Sequence, residues 1–137
     1  MADRYFAYGS NMSRAQMAVR CPGAAVVDRA VLGGHRFVIN RRGVATVVPD
    51  AAAAVHGVLW TIGPEDERAL DRYEGVAEGL YRRERCRVTA GGRPVDALVY
   101  VAAEVAAGVP RAGYLELIVQ AAEAHGLPAE YVRELGR

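Results

Sequence analysis

Residues 25–62 carry four β-branched segments in succession, 25–32, 35–40, 44–48 and 55–62, parted only by Gly, Asp or Pro. No helical period falls between them, so the strands have to pair through short turns, and that many consecutive strands curl into one sheet or barrel. The flanks add helices and further strands. Residues 4–8 are aromatic-rich and run straight into Gly9-Ser10-Asn11, the pattern of a strand ending in a tight turn. Ser13, with Gln16 three positions on, fits a capping box that starts a helix lasting to about Arg20, before Pro22 and Gly23. Gly63-Pro64-Glu65-Asp66-Glu67 begins a second helix, with Pro at its first position and carboxylates at the positive end of the dipole. Ala69, Leu70 and Tyr73 are its expected buried stripe. Two strands, 81–89 and 94–101, follow around the hairpin signal Ala90-Gly91-Gly92. Tyr114, Leu117, Ile118, Ala121, Ala122 and His125 then fall at helical spacing, stopped by Gly126 and Pro128, and a short last helix carries Tyr131 and Leu135. No repeat or linker divides the chain, so the expectation is a single α+β domain over residues 1–137.

Composition narrows the function classes. A formal net charge of +1 gives no overall field for nucleic acid, an anionic membrane or an acidic protein, and points to a small-molecule partner. The apolar runs are far too short to cross a bilayer and the N-terminus lacks a leader pattern, so a cytoplasmic protein is expected. Cys21 and Cys86 have no CxxC spacing and read as reduced thiols. Arg83, Arg85 and Arg87 share one face of a strand, read as a solvated face rather than an anion-binding ladder. His35, His56 and His125 lie on different elements and no GxSxG elbow accompanies them, which speaks against a Ser-His-Asp triad. No cluster of His, Cys, Asp and Glu has metal-ligand spacing, so neither metal nor cofactor is expected.

Two features carry chemistry. In Tyr8-Gly9-Ser10-Asn11 the glycine admits unusual backbone angles and leaves N–H groups exposed just ahead of a helix, a place that holds carboxylates and oxyanions. Glu74 stands in the last turn of the second helix, directly before the stop residue Gly75, where the negative end of the dipole disfavours a carboxylate. Flanked by Leu70, Tyr73 and Val76, this carboxyl should have a raised pKa, the condition for acid/base work near neutrality.

The ordered motifs Tyr5-Phe6-Ala7-Tyr8-Gly9-Ser10-Asn11, Gly43-Val44-Ala45-Thr46, Val55-His56-Gly57-Val58-Leu59-Trp60, Leu70-Asp71-Arg72-Tyr73-Glu74-Gly75-Val76 with Tyr81 after it, and Gly126-Leu127-Pro128-Ala129-Glu130-Tyr131 resemble the γ-glutamylcyclotransferase family, also described as AIG2-like, over nearly the whole chain. The resemblance implies a small mixed β-barrel with flanking helices. It also implies a cavity beside the Tyr-Gly-Ser-Asn loop and Glu74 as catalytic acid/base, with Tyr5, Phe6, Ala7, Tyr8, Gly9, Ser10 and Asn11 shaping the floor and Tyr81 the wall. The implied reaction is attack of a γ-glutamyl compound's own α-amine on its γ-carbonyl, releasing 5-oxoproline and an amine, and it needs no metal or covalent intermediate. Some members place a tyrosine in the site where this chain has Val105, which implies a roomier and more apolar leaving-group side. The partner implied is thus a small γ-glutamyl substrate, with neither nucleic acid nor membrane, while homodimerisation stays open. The alternative on the same scaffold is a non-catalytic γ-glutamyl-binding or regulatory module. A pure binder of that kind gains nothing from a base beside the amine.

Overall fold

The computed structural model describes residues 2–136. Five strands close into a barrel in the order β1-β3-β2-β4-β5. They are β1 (Asp3–Ala7), β2 (Ala25–Ile39), β3 (Ala45–Ile62), β4 (Tyr81–Ala90) and β5 (Arg93–Ala102). The β1–β5 seam is parallel at Tyr5 and Leu98, whereas the other pairings are antiparallel, so the barrel is mixed as expected. Helices α1 (Arg14–Arg20), α2 (Pro64–Tyr73), α3 (Tyr114–Ala124) and α4 (Ala129–Leu135) flank it, and a single 3-10 turn, Ser10–Met12, follows β1. Among the described residues no helix is long and apolar enough to cross a membrane, and no group of His, Cys, Asp and Glu gathers as a metal site.

The four segments expected between residues 25 and 62 are two long strands, β2 and β3, paired from Ala25–Thr61 down to Ile39–Ala45. Register shifts between Val26 and Asp28 and between Gly33 and His35 bend the pair without ending it, because a bulge absorbs one extra residue and tightens the twist. The bending lets a short sheet close on itself. Phe6, Val55, Val58, Leu98 and Val99 are fully buried in the core. Buried Thr46 ties two walls together, its Oγ1 accepting the Ala102 N–H at 2.9 Å.

The buried stripe of α2 is shifted from the expected one. Ala69 and Leu70 are buried, but Tyr73 is 53 % exposed and Asp66 takes the third place. Tyr73 is the last helical residue, past the edge of the barrel, and the Arg20 guanidinium stacks 4.5 Å from its ring centroid. Buried Asp66 is satisfied by backbone donors, the N–H groups of Gly63 at 3.2 Å and Gly23 at 3.4 Å, which fastens the exit of α1 to the start of α2. Two of the three arginines expected on one face of β4 are ion-paired rather than merely solvated. Arg83 bridges Asp71 and Glu67, and Arg85 bridges Asp3 and Asp96. Both cysteines are free thiols, Cys21 buried and Cys86 half-buried.

Gly57, opposite Ala30 on β2, lies next to the Ala7–Val58 pair that ends the β1–β3 ladder. A Cβ there would fall on the Ala7 carbonyl oxygen and within 2.9 Å of the Phe6 ring. Gly57→Ala should therefore lower stability by about 2 kcal/mol or more, read as a lower urea midpoint at unchanged slope, since β1 cannot yield without opening the core. A midpoint equal to that of the unaltered protein would contradict this packing.

Candidate active site

Helix α2 ends in a Schellman arrangement, in which the Val76 N–H bonds Asp71 O at 3.0 Å and the Gly75 N–H bonds Arg72 O at 3.1 Å. Gly75 takes φ +65°, and a Cβ on it would lie 2.8 Å from Leu80 Cδ1, so the reversal needs glycine on both counts. Glu74 is the cap residue, and the reversal holds it at the negative end of the dipole. Asp71, one turn earlier, anchors the helix end to the barrel by accepting Tyr100 Oη–H at 2.6 Å and both Arg83 bonds. Burial raises the Glu74 pKa to about 7, with the Arg20 guanidinium pulling the other way.

Glu74 lines a cavity of about 300 Å³ that it shares with the loop after β1. That loop is pinned from α1: Gln16 Nε2 donates to Ser10 Oγ at 2.7 Å and Asn11 Oδ1 at 2.9 Å, and Arg20 Nη1 donates to the same Asn11 oxygen at 3.1 Å. Ser13 caps α1 by accepting the Gln16 N–H, so half of the expected capping box forms and the Gln16 side chain serves the loop. Among the described residues the N–H groups of Gly9, Ser10 and Asn11 have no acceptor. Gly9 has φ −115°, so it does not need left-handed angles. Its role is clearance, a Cβ there meeting the Ala45 Cβ at 3.3 Å and Tyr114 Oη at 3.5 Å.

Tyrosines complete the walls. Tyr8 Oη–H donates to Tyr100 O and Tyr81 Oη–H to Ala45 O, each at 2.6 Å. Tyr5 and Tyr114 instead accept, from Asn11 Nδ2 and from the Ala45 N–H, both at 3.0 Å. Among the described residues the Tyr5 hydroxyl proton has no acceptor, while the Tyr114 hydroxyl also meets the Ser10 side chain. Burial drives all four phenols above their ordinary range, with Glu74 adding to the shift in each, so they stay neutral donors.

Of the residues singled out from the sequence, Tyr5, Tyr8, Gly9, Ser10, Asn11, Glu74 and Tyr81 meet in this cavity. Phe6 and Ala7 do not line it; they are buried behind the loop, where Phe6 packs against Gly57. Val105 is also outside the cavity and 47 % exposed. The chain leaves β5 through Ala103 N–H to Leu80 O and crosses to Asn40, which donates to Glu104 O and bridges Ala107, and Val105 faces away. Arg42, Arg111 and Tyr114 line the cavity together with apolar Val44, Leu80 and Leu117. Gln16, Arg20 and Tyr100 also line the cavity without having been anticipated. The capping pattern had drawn attention to Gln16 for its backbone, and nothing local marked the others. A second cavity, about 450 Å³, is walled chiefly by apolar groups such as Phe37, Pro110 and Leu115.

The family model for the AIG2-like family matches residues 54–135. Human γ-glutamylcyclotransferase is 29% identical over 142 aligned residues, which take in 96% of this chain and 76% of the relative. The mouse γ-glutamylcyclotransferase is 30% identical over the same shares. A solved structure of a γ-glutamyl cyclotransferase superposes with a TM-score of 0.93 at 27% identity, covering 99% of this chain and 87% of that one. On this sequence match, fold and arrangement, the chain belongs to the AIG2-like family.

Proposed function

We propose that the protein is a γ-glutamylcyclotransferase, converting a γ-glutamyl amide to 5-oxoproline and a free amine with Glu74 as general acid/base. The observation that carries this reading is the carboxyl of Glu74, with its pKa raised to about 7, sharing one cavity with the unbonded N–H groups of the Gly9–Asn11 loop. The likeness to named γ-glutamylcyclotransferases over almost the whole chain supports it.

The chemistry follows from these groups. Ionised Glu74 takes a proton from the substrate's α-ammonium, and the freed amine closes a five-membered ring on its own γ-carbonyl. Negative charge develops on the carbonyl oxygen. The free N–H groups of Gly9 and Ser10 are suited to hold that oxyanion or the α-carboxylate, and the neutral phenol of Tyr5 adds a donor. The tetrahedral centre then collapses: Glu74 returns its proton to the leaving nitrogen, the C–N bond breaks, and the extra proton of the ring nitrogen passes through the freed carboxylate to the departing amine, which leaves as an ammonium. Water is not consumed. A pKa near ambient pH serves both halves, because the same carboxyl has to accept a proton and then give it back.

Glu74→Gln should lower turnover by about 10²- to 10⁴-fold while the fold is kept. In the unaltered enzyme kcat/KM should rise with pH through about 7 as Glu74 ionises. Stability should show the opposite trend. The folded pKa lies above the unfolded one, so between about 4.5 and about 7 the folded state binds more protons and stability falls as pH rises. Glu74→Gln lacks this loss, so its Tm advantage should be absent below about pH 4.5 and full above about pH 7. Near-normal turnover in that variant would remove Glu74 from the mechanism. A γ-glutamyl compound acetylated on its α-nitrogen should not react despite its intact γ-amide, and its turnover would point to a hydrolase.

A further inference from the structure

The ring of Tyr5 is fixed in place, and only its hydroxyl proton is free to turn. Strand β1 lies between β3 and β5, with Tyr5 paired to Trp60 on one side and to Leu98 on the other. The ring is buried and meets the Tyr100 ring edge-on, 5.8 Å between centroids, yet the residue still lines the cavity with Glu74. A phenol oxygen both donates and accepts, so a donor placed on it turns its own proton elsewhere.

Asn11 is that donor, its Nδ2 reaching Tyr5 Oη at 3.0 Å. The direction of the Asn11 amide is itself set from α1. Arg20 Nη1 lies 3.1 Å from Oδ1, and a guanidinium can only donate, so the atom facing it has to be the oxygen. Gln16 Nε2 donates to the same oxygen at 2.9 Å, which spends both of its lone pairs. A reversed amide would set N–H groups against two donors in a buried place. The carbonyl of Asn11 is therefore occupied by the protein, although the residue lines the cavity.

We infer that Asn11 is a positioning residue: relaying the donors of Gln16 and Arg20, it compels Tyr5 to present its O–H to a substrate oxygen that bears negative charge, the α-carboxylate or the developing oxyanion. The inference rests on the cyclotransfer reading for its substrate and on this chain of hydrogen bonds for its content. A donating Tyr5 gives that oxygen a hydrogen bond, whereas an accepting one sets a lone pair against it, so the direction of one proton decides the sign of the interaction.

The test is a mutant cycle between positions 5 and 11. Its readouts are kcat/KM for 5-oxoproline release from γ-glutamyl-alanine and, separately, affinity for that compound by calorimetry in the Glu74→Gln background. Asn11→Asp keeps the shape of the side chain and its bonds from Gln16 and Arg20, but puts an acceptor where Nδ2 was, so Tyr5 turns its proton onto the new carboxylate. Tyr5→Phe should lower kcat/KM by about tenfold or more, and Asn11→Asp by at least as much. In the Asn11→Asp protein, however, Tyr5→Phe should cost nothing or restore part of the loss, because the hydroxyl it removes no longer donates to the ligand. The charge added at position 11 acts with or without that hydroxyl, so charge alone leaves the two losses multiplicative. Gln16→Glu, at a half-buried position, is a second route. A carboxylate there accepts where the amide donated and draws Arg20 to itself, which favours the turned amide of Asn11 and should shrink the Tyr5→Phe penalty severalfold. Losses that multiply in the Asn11→Asp cycle, or in the Gln16→Glu cycle should Asn11→Asp not fold, would overturn the inference and reduce Asn11 to a brace for the loop. So would a Tyr5→Phe protein with unchanged kcat/KM and affinity. If no protein releases 5-oxoproline but the affinities show the same reversal, cyclotransfer fails and the positioning role stands. Normal turnover with multiplying losses sinks the role and leaves cyclotransfer standing, and a compound that does not bind at all sinks both.

Discussion

Helix α2 ends where it does because Gly75 reverses the chain, and that reversal holds a carboxyl at the negative end of the helix and out of full contact with water. Both conditions oppose ionisation, so the site carries a built-in cost that an ordinary surface glutamate would avoid by turning into solvent. The surrounding contacts keep the arrangement fixed. Asp71 ties the same helix end to Tyr100 and Arg83 on the barrel, while Leu80 fills the space beside Gly75. Arg20 limits how far the pKa climbs, leaving it near neutrality, where one group can serve as base and then acid.

The barrel supplies the second half of the site. Strand β1 crosses Gly57 of β3 closely enough to exclude any side chain there, and the chain emerges at the rim as the Gly9–Asn11 loop. Side chains from α1 then hold that loop with its N–H groups unbonded, a state that costs free energy unless a ligand supplies acceptors. Donors, acid/base and cationic wall therefore come from three separate parts of the chain, brought together by closure of a single sheet. The same cavity holds the Glu74 carboxyl and the guanidiniums of Arg20, Arg42 and Arg111.

Much of this was legible in the sequence, and the reasons are local. The Ser13 cap, the Pro64 start, the Gly75 stop and the position of Glu74 each depend on residues within one helical turn, and the β-branched segments identified the barrel strands. The merging of four segments into β2 and β3 was not legible, because Gly33-Gly34 at a bulge and Pro49-Asp50 within a long strand look like turn residues in one dimension. Tyr73 fitted the helical stripe, yet whether the last turn still faces the core depends on where the barrel ends. Arg42 and Arg111 are 69 residues apart and meet only because the segment after β5 crosses the Asn40 turn, the same crossing that turns Val105 outward. Arg83 and Arg85 found partners on α2, β1 and β5 for the same reason, that ion pairing is a property of the assembled surface.

The central claim is that the γ-glutamyl bond is broken by the substrate's own amine. Turnover of a γ-glutamyl amide in oxygen-18 water, with the product identified by mass, tests it most directly. Intramolecular attack predicts 5-oxoproline as the primary product with no heavy oxygen in its ring carbonyl. Free glutamate carrying oxygen-18 in its γ-carboxyl would contradict the account and make the enzyme a hydrolase.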